Sequence, residues 1–269
     1  METPDVADAK RAARKVENSR AYRTLVRVGL IAYGVVHLLI AFLTVRLATG
    51  GSDEEASQTG ALRALANTPM GPVLLWAVAV GFFALVIWQL VAALLGHREY
   101  DGAQRSRKRV SSAGKAVIYL ALGLSAANIA LGGRSEGDAA EAAGGAVMAL
   151  PFGQVLVAIA GLVVVALGVY LASKAFTDKW QENLSGSLGT AGKWAARVGH
   201  FTKGLAYAGI GALFVWAAIT YDPESAGGLD AALQTLRAAP FGPWLLGAAA
   251  FGFAGYGVYC FFWSQRAKV

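Results

Sequence analysis

Six long apolar runs, separated by polar segments, divide the chain. They cover residues 25–48, 73–95, 116–131, 155–172, 205–221 and 244–263. An α-helix rises about 1.5 Å per residue, so roughly 20 residues cross the hydrocarbon core of a bilayer, which is about 30 Å thick. The pattern predicts an all-α membrane protein with six transmembrane helices. The third and fifth runs are short, and we expect Lys115 and Lys203 to lie in their first turns and to extend toward the headgroups.

The composition agrees with this class. Hydrophobic residues make up 56% of the chain and charged residues 15%, whereas soluble domains carry about a quarter charged residues. The 33 glycines are typical of closely packed membrane helices. The single cysteine, Cys260, excludes a disulfide scaffold and a cysteine-based metal site.

The basic residues predict the orientation. Of the 24 lysines and arginines, 20 lie on the side that holds both termini. Because short cytoplasmic loops collect Lys and Arg, we expect both termini in the cytoplasm. The charge is therefore distributed unevenly, and the positive side faces anionic lipid headgroups in the cytoplasmic leaflet. This distribution explains the net charge of +7 without a nucleic-acid partner.

A threefold internal repeat is marked by a Pro-x-Gly tag before each even-numbered run. The tags are Pro69 with Gly71, Pro151 with Gly153, and Pro240 with Gly242. His37, Tyr119 and Tyr207 precede the tag prolines by 32, 32 and 33 residues. Other matched positions are Tyr33, Lys115 and Lys203; Gly34, Ala116 and Gly204; and Ala41, Gly123 and Gly211. The chain is therefore predicted to form three tandem helical hairpins, related by an axis along the membrane normal.

These hairpins set the predicted organisation. Residues 1–24 form a mobile cytoplasmic tail, and residues 265–269 form a second tail. The repeats span residues 25–96, 112–176 and 197–264, joined by cytoplasmic linkers at 97–111 and 177–196.

Each tag is expected to restart a helix, because proline has a φ angle suited to a first helical turn and lacks a backbone N–H. Upstream of the tags, apolar residues three apart predict short interfacial helices on the outer side. These residues are Leu62 and Leu65, Val147 and Leu150, and Leu233 and Leu236. Binding of an anion by the converging helix starts is the less favoured alternative.

The ring position at His37, Tyr119 and Tyr207 shares a helix face with small residues. Small residues let membrane helices approach closely, so we expect a packing seam in which each ring finds a hydrogen-bond partner across the contact. The alternative is that the three rings line a central cavity, with His37 as the one group that could change charge near neutral pH.

No catalytic motif occurs in the sequence, and the apolar runs contain no carboxylate. We therefore expect neither enzyme activity nor a cofactor or metal. The leading function is a non-enzymatic scaffold, accessory subunit or lipid-interacting protein, with a membrane-protein partner as one option. The alternative is a passive carrier or pore for a small solute or lipid along the repeat axis.

The repeat residues carry a resemblance to a known family. The segment from Tyr33 to Ala41, the segment from Lys203 to Tyr207 and the three tags resemble the family called domain of unknown function 1206. That family consists of multi-pass membrane proteins found chiefly in actinobacteria, so the resemblance implies a bacterial cytoplasmic membrane. It implies a fold without an assigned reaction.

Overall fold

The computed structural model describes residues 20–51, 55–96, 101–133, 146–148, 150–222 and 228–268. The α-helices with complete bounds are α1 (Arg20–Ala48), α2 (Gln58–Ala66), α3 (Gly71–Leu94), α4 (Gly102–Ala130), α5 (Gly153–Thr177), α6 (Thr190–Thr220), α7 (Leu229–Ala238) and α8 (Gly242–Arg266). Six of them, α1, α3, α4, α5, α6 and α8, are long and apolar enough to cross a membrane. The six predicted spans are thus confirmed. Of the predicted tail at 1–24, residues 1–19 lie outside the described residues and 20–24 open α1.

The linkers are more helical than the apolar runs alone indicate. Helix α4 begins at Gly102 and α6 at Thr190, so part of each predicted linker extends a transmembrane helix. Helix α8 is also longer than the predicted apolar run, because it continues to Arg266. These extensions contain alanine, arginine and lysine, which have high helix propensity, so they form helix without having to be buried.

The tags mark the starts of α3, α5 and α8, and we call this the tag end of the bundle. The first residues of these helices are Gly71, Gly153 and Gly242. Each glycine N–H donates to the carbonyl three residues earlier, at 2.9, 2.8 and 2.9 Å. A Cβ on any of them would stand only 1.9 to 2.2 Å from a backbone carbonyl oxygen. Glycine is therefore required because the chain folds back closely on the preceding segment.

Two short amphipathic helices cover the tag end. Helix α2 buries Leu62 and Leu65, and α7 buries Leu233, as the apolar spacing predicts. The two helices are linked because the amide of Ala56, just before α2, donates to the Asp230 carboxylate at 2.7 Å. In the second repeat only residues 146–148 of the corresponding segment are described as helical.

The membrane helices pack most extensively between repeats. Helix α1 packs on α8, α3 on α4, and α5 on α6. Two of these seams are built from glycine pairs, Gly34 with Gly257 and Gly204 with Gly168, where a Cβ on either member would fall within 3.0 Å of its partner's backbone. The small-residue stripe on the first membrane helix of a repeat thus packs against the second membrane helix of a neighbouring repeat.

Within repeats, the hairpins differ. Repeats 1 and 3 are closed, with Gly81 against Ala32 and Gly252 against Thr202. The matching residues of repeat 2 are Val163, which is 62% exposed, and Gly114, which has no atom within 4 Å of a Cβ position. Helices α4 and α5 consequently make almost no contact with each other along the described residues, and an open cleft separates them.

At the end opposite the tags, which we call the basic end, the segment between α5 and α6 forms a strap over α8. A short 3-10 helix, Lys179–Asn183, buries Trp180 completely, with its ring edge-on to Tyr259 at 6.0 Å. Leu184 and Ala267 form an isolated antiparallel bridge. The strap fixes the start of repeat 3 against the last membrane helix.

Candidate ligand cavity at the junction of the repeats

A cavity of about 340 Å³ lies where the three repeats meet. This volume falls at the lower end of the range of roughly 300–1,000 Å³ found for small-molecule sites. Its wall is mostly apolar and comes from α1, α4, α5, α6, α8 and the starts of α2 and α7. The lining residues are His37, Ile40, Ser57, Gln58, Thr59, Ile118, Ala121, Leu122, Val164, Lys203, Ala206, Tyr207, Ile210, Gly228, Leu229 and Phe253.

The cavity has an open side toward the surroundings of the bundle. Ile118 and Ala121 of α4 line it and are also exposed on the outside, and Val164 of α5 stands across from them, half-buried. This is the place where α4 and α5 fail to pack. The cleft of repeat 2 therefore leads from the lipid-facing surface into the cavity.

Lys203 lies at the inner end of the cavity and is only 8% exposed. The expectation that Lys203 sits in a first helical turn and extends to the headgroups is wrong. Lys115 does not lie in a first turn either, because α4 begins 13 residues before it. Helix α6 begins 13 residues before Lys203, which faces the interior of the bundle. Its ammonium donates to the Tyr33 hydroxyl at 2.5 Å.

Two tyrosine rings stabilise this ammonium further. Lys203 Nζ stands 4.2 Å from the ring centroid of Tyr256 and 4.8 Å from that of Tyr33. Both distances are within cation–π range. No described carboxylate lies within 4 Å of Lys203, since the described ion pairs all involve other residues. The buried cation is held by neutral groups.

His37 is 2% exposed and lies beside the same rings. Its Nδ1 contacts the Tyr33 carbonyl at 2.9 Å, one turn earlier in its own helix. The predicted hydrogen bond across a helix seam is therefore not formed, because the carbonyl one turn back is the nearer acceptor. A carbonyl only accepts, so Nδ1 carries the proton, and in the neutral ring Nε2 is an acceptor without a partner among the described residues.

The other two ring residues occupy different surroundings. Tyr207 is half-buried and lines the cavity one turn beyond Lys203 on the same face of α6. Tyr119 is 5% exposed and does not line the cavity; its ring lies 5.4 Å from that of Tyr33 and stacks near Phe82 at 6.3 Å. The structure thus brings His37 and Tyr207 into the cavity and places Tyr119 in the packing beside it.

Tyr33, Tyr256 and His200 belong to this cluster and were not singled out as site residues by the sequence. The rings of His200 and Tyr256 are 5.3 Å apart, and that of Tyr256 is 4.6 Å from His37. The sequence does carry one signal: Tyr33 and Lys203 occupy the same repeat position, so a contact near the axis could have joined them.

A second hollow, of about 290 Å³, lies at the basic end of the cleft. It is lined by Arg107, Lys108, Ser111, Leu167 and Tyr170. Lys108 also forms an ion pair with Glu182 of the strap at 2.7 Å, which lowers the pKa of that carboxyl. The cleft therefore has a basic mouth and an apolar wall.

No group of three or more metal-ligating side chains occurs among the residues that the structure describes. Nothing in the cavity wall resembles a cofactor-binding motif.

Six membrane-length helices arranged as three repeats define a multi-pass α-helical membrane protein. The Domain of Unknown Function (DUF1206) family matches residues 28–96, 110–178 and 198–265, which together make up more than three-quarters of the chain. The chain belongs to this family, in three tandem copies, and the predicted repeat and family are confirmed.

A curated relative is similar along most of the chain. It is the uncharacterized protein YxxB of Bacillus subtilis (strain 168), which is 27% identical over 239 residues, covering 87% of this chain and 86% of the relative. No solved structure matches the chain.

Proposed function

We propose that this protein is a non-enzymatic, lipid-interacting protein of the bacterial cytoplasmic membrane, whose cavity takes up the chain of a membrane amphiphile through the cleft between α4 and α5. The observation that carries the proposal is the difference between the repeats. Repeats 1 and 3 close their hairpins at Gly81 and Gly252, whereas repeat 2 has Val163 at the same position and stays open. The opening lies between helices whose exposed side chains face lipid, so the acyl chains of the bilayer can reach it.

The walls of the cleft suit an amphiphile. Ile118, Leu122 and Val164 supply apolar surface at membrane depth. The hollow at the basic end presents Arg107 beside Tyr170, which supports a first encounter of an anionic headgroup with the mouth of the cleft on the cytoplasmic side. This assignment includes the predicted orientation, with both termini in the cytoplasm.

Photolabelling tests the proposal directly. The purified protein is reconstituted in vesicles that contain a fatty-acyl lipid with a diazirine in its chain, and the attachment sites are mapped by mass spectrometry. Ile40 is completely buried in the bundle but lines the cavity, and Ile210 lines it too. Attachment at Ile40 therefore reports a chain inside the protein, since lipid outside the bundle cannot reach this side chain.

A bulky residue in the opening supplies the matched comparison. Val164→Trp should block the cleft and abolish labelling at Ile40 and Ile210. Leu162→Trp alters the same helix at a side chain that is 60% exposed and does not line the cavity, so it should leave labelling unchanged. Labelling confined to outward-facing residues, or equal labelling in both variants, would refute uptake through the cleft.

A passive carrier is the second candidate function. It is favoured by the polar groups at both ends of the cavity, Ser57 and Thr59 toward the tag end and Lys203 toward the basic end. Passage of a small solute across vesicles containing the purified protein, unaffected by Val164→Trp, would support it. A protein that co-purifies in mild detergent and cross-links to the cleft would instead support the accessory-subunit role.

A further inference from the structure

The inner end of the cavity holds the buried amino group of Lys203, which has no carboxylate partner among the described residues. Burial of an unpaired charge in an apolar setting is costly, and Lys203 offsets this cost with one hydroxyl and two aromatic faces. An ammonium has three N–H donors, and the Tyr33 oxygen takes one of them. The group is therefore arranged to accept a further, negatively charged partner.

We propose that the inner end of the cavity binds the carboxylate of a single-chain amphiphile of the fatty-acid type, with Lys203 as its counter-cation. This inference rests on the proposed function and names the ligand class for the same cavity. Tyr207 provides a second contact, because its hydroxyl has no hydrogen-bond partner among the described residues and it lies one turn from Lys203 on the same helix face. Its O–H can donate to the second carboxylate oxygen.

The charge count favours a carboxylate over a phosphate. Lys203 is the one lysine or arginine in the described wall, and the Nδ1 of His37 is already bound to the Tyr33 carbonyl. A single ammonium matches one negative charge, whereas phosphate sites generally combine several cationic donors. The helix starts in the wall, those of α2 and α7, lie toward the tag end, away from Lys203. On the tag side of Lys203 the cavity wall is apolar and includes Ile40, Ala206 and Ile210. This wall suits a hydrocarbon tail that continues into the cleft.

The second repeat provides an internal control for this lysine. Lys115 occupies the position of Lys203 in the repeat, but its side chain is exposed and it does not line the cavity. The two lysines therefore stand 36 and 37 residues before their tag prolines, but only Lys203 faces the cavity. Only Lys203 can pair with a carboxylate inside the protein.

Binding of hexadecanoate and hexadecanol to the detergent-purified full chain tests the proposal. The two ligands share a tail and differ in the headgroup charge, and their affinities are measured by native mass spectrometry or calorimetry. The wild-type protein should bind the acid at least about tenfold more tightly than the alcohol, the scale expected for one charge-assisted contact. Lys203→Met should remove this preference, Lys203→Arg should retain most of it, and Lys115→Met should leave it unchanged.

The other outcomes are distinguishable. If the wild type binds acid and alcohol equally, or if Lys203→Met keeps the preference in a protein that still elutes as a folded species, the carboxylate site is refuted while uptake of a chain stands. If neither ligand binds, uptake itself fails. If butanoate binds as tightly as hexadecanoate, the ligand is a small water-borne carboxylate, and the amphiphile assignment is refuted.

Discussion

Lys203 donates a hydrogen bond to Tyr33 at 2.5 Å, and these two residues occupy the same position in repeats 3 and 1. Residues related by a repeat axis can touch only where they lie close to that axis. Their contact therefore places the buried ammonium near the centre of the bundle. The third residue at this repeat position, Lys115, is exposed. The bundle therefore departs from threefold symmetry at repeat 2, which is also the repeat whose hairpin is open.

Tyr33→Phe is expected to destabilise the protein by about 1–3 kcal/mol, because it leaves a buried cation without its hydroxyl acceptor while keeping the aromatic face. Tyr119→Phe is the matched control. Its ring packs 5.4 Å from Tyr33, but its hydroxyl has no hydrogen-bond partner among the described residues. Thermal unfolding in detergent checks the pair, and equal losses of stability in both variants would contradict the role of the Lys203 bond.

His37→Tyr should leave folding largely intact, because repeats 2 and 3 carry tyrosine at this position and the cavity leaves room beside the ring. His37→Leu removes the bond to the Tyr33 carbonyl and should cost about 0.5–2 kcal/mol, the range for polar contacts in membrane helices. The same unfolding assay measures both. A well-folded His37→Tyr protein that loses a bound ligand would instead assign a reactive role to the imidazole.

Gly168→Ala should destabilise the α5 and α6 seam by about 1–3 kcal/mol, the typical cost of overpacking. The added Cβ would lie 2.5 Å from the backbone nitrogen of Ala208, which cannot move without shifting the helix. Gly114→Ala is the control, since its Cβ would meet nothing within 4 Å and alanine favours the helix. We expect Gly114→Ala to be neutral or stabilising, and a comparable loss at both sites would argue against the open cleft.

The orientation is tested by thiol labelling in intact cells. Gly51→Cys and Leu131→Cys lie at exposed positions near the tag end and should react with an impermeant reagent from outside. Ser106→Cys, exposed at the basic end, should react only after the cells are permeabilised. The native Cys260 is buried and serves as the silent background. The reverse labelling pattern would invert the topology.

The strap should lose its ion pair in acid. Two hydrogen bonds from Arg197, at 3.0 and 3.1 Å, lower the pKa of Asp178 below its ordinary value of about 3.9. A carboxyl with a lowered pKa in the folded state contributes stability above that ordinary value and loses it as the pH falls through the folded pKa.

Asp178→Asn isolates this charge, since the residue has a left-handed φ of 52° that asparagine adopts readily. The stability difference between wild type and variant should be small, constant from pH 7 to pH 5, and absent once the pH lies below the folded pKa. A difference that persists unchanged at pH 3 would mean that the variant acts through packing. Thermal unfolding across this pH series measures it.

The six spans, the three tandem repeats and the family could all be predicted from the amino-acid sequence. These features depend on local apolar length and on the spacing between residues such as His37 and Pro69, and the structure and the family match confirm them. The predicted orientation also follows from the sequence, through the distribution of lysine and arginine, and stays a prediction until the labelling is done.

Two features became apparent only from the packing of the helices: which repeat is open, and which residues surround Lys203. Hydropathy places a lysine near the end of a span, but it does not say whether that helix face meets lipid or another helix. Here the extended start of α6 and the neighbouring α1 and α8 enclose Lys203, whereas the open hairpin leaves Lys115 outside. Burial is a property of contacts between distant segments, and the chain acquires those contacts only when its helices pack.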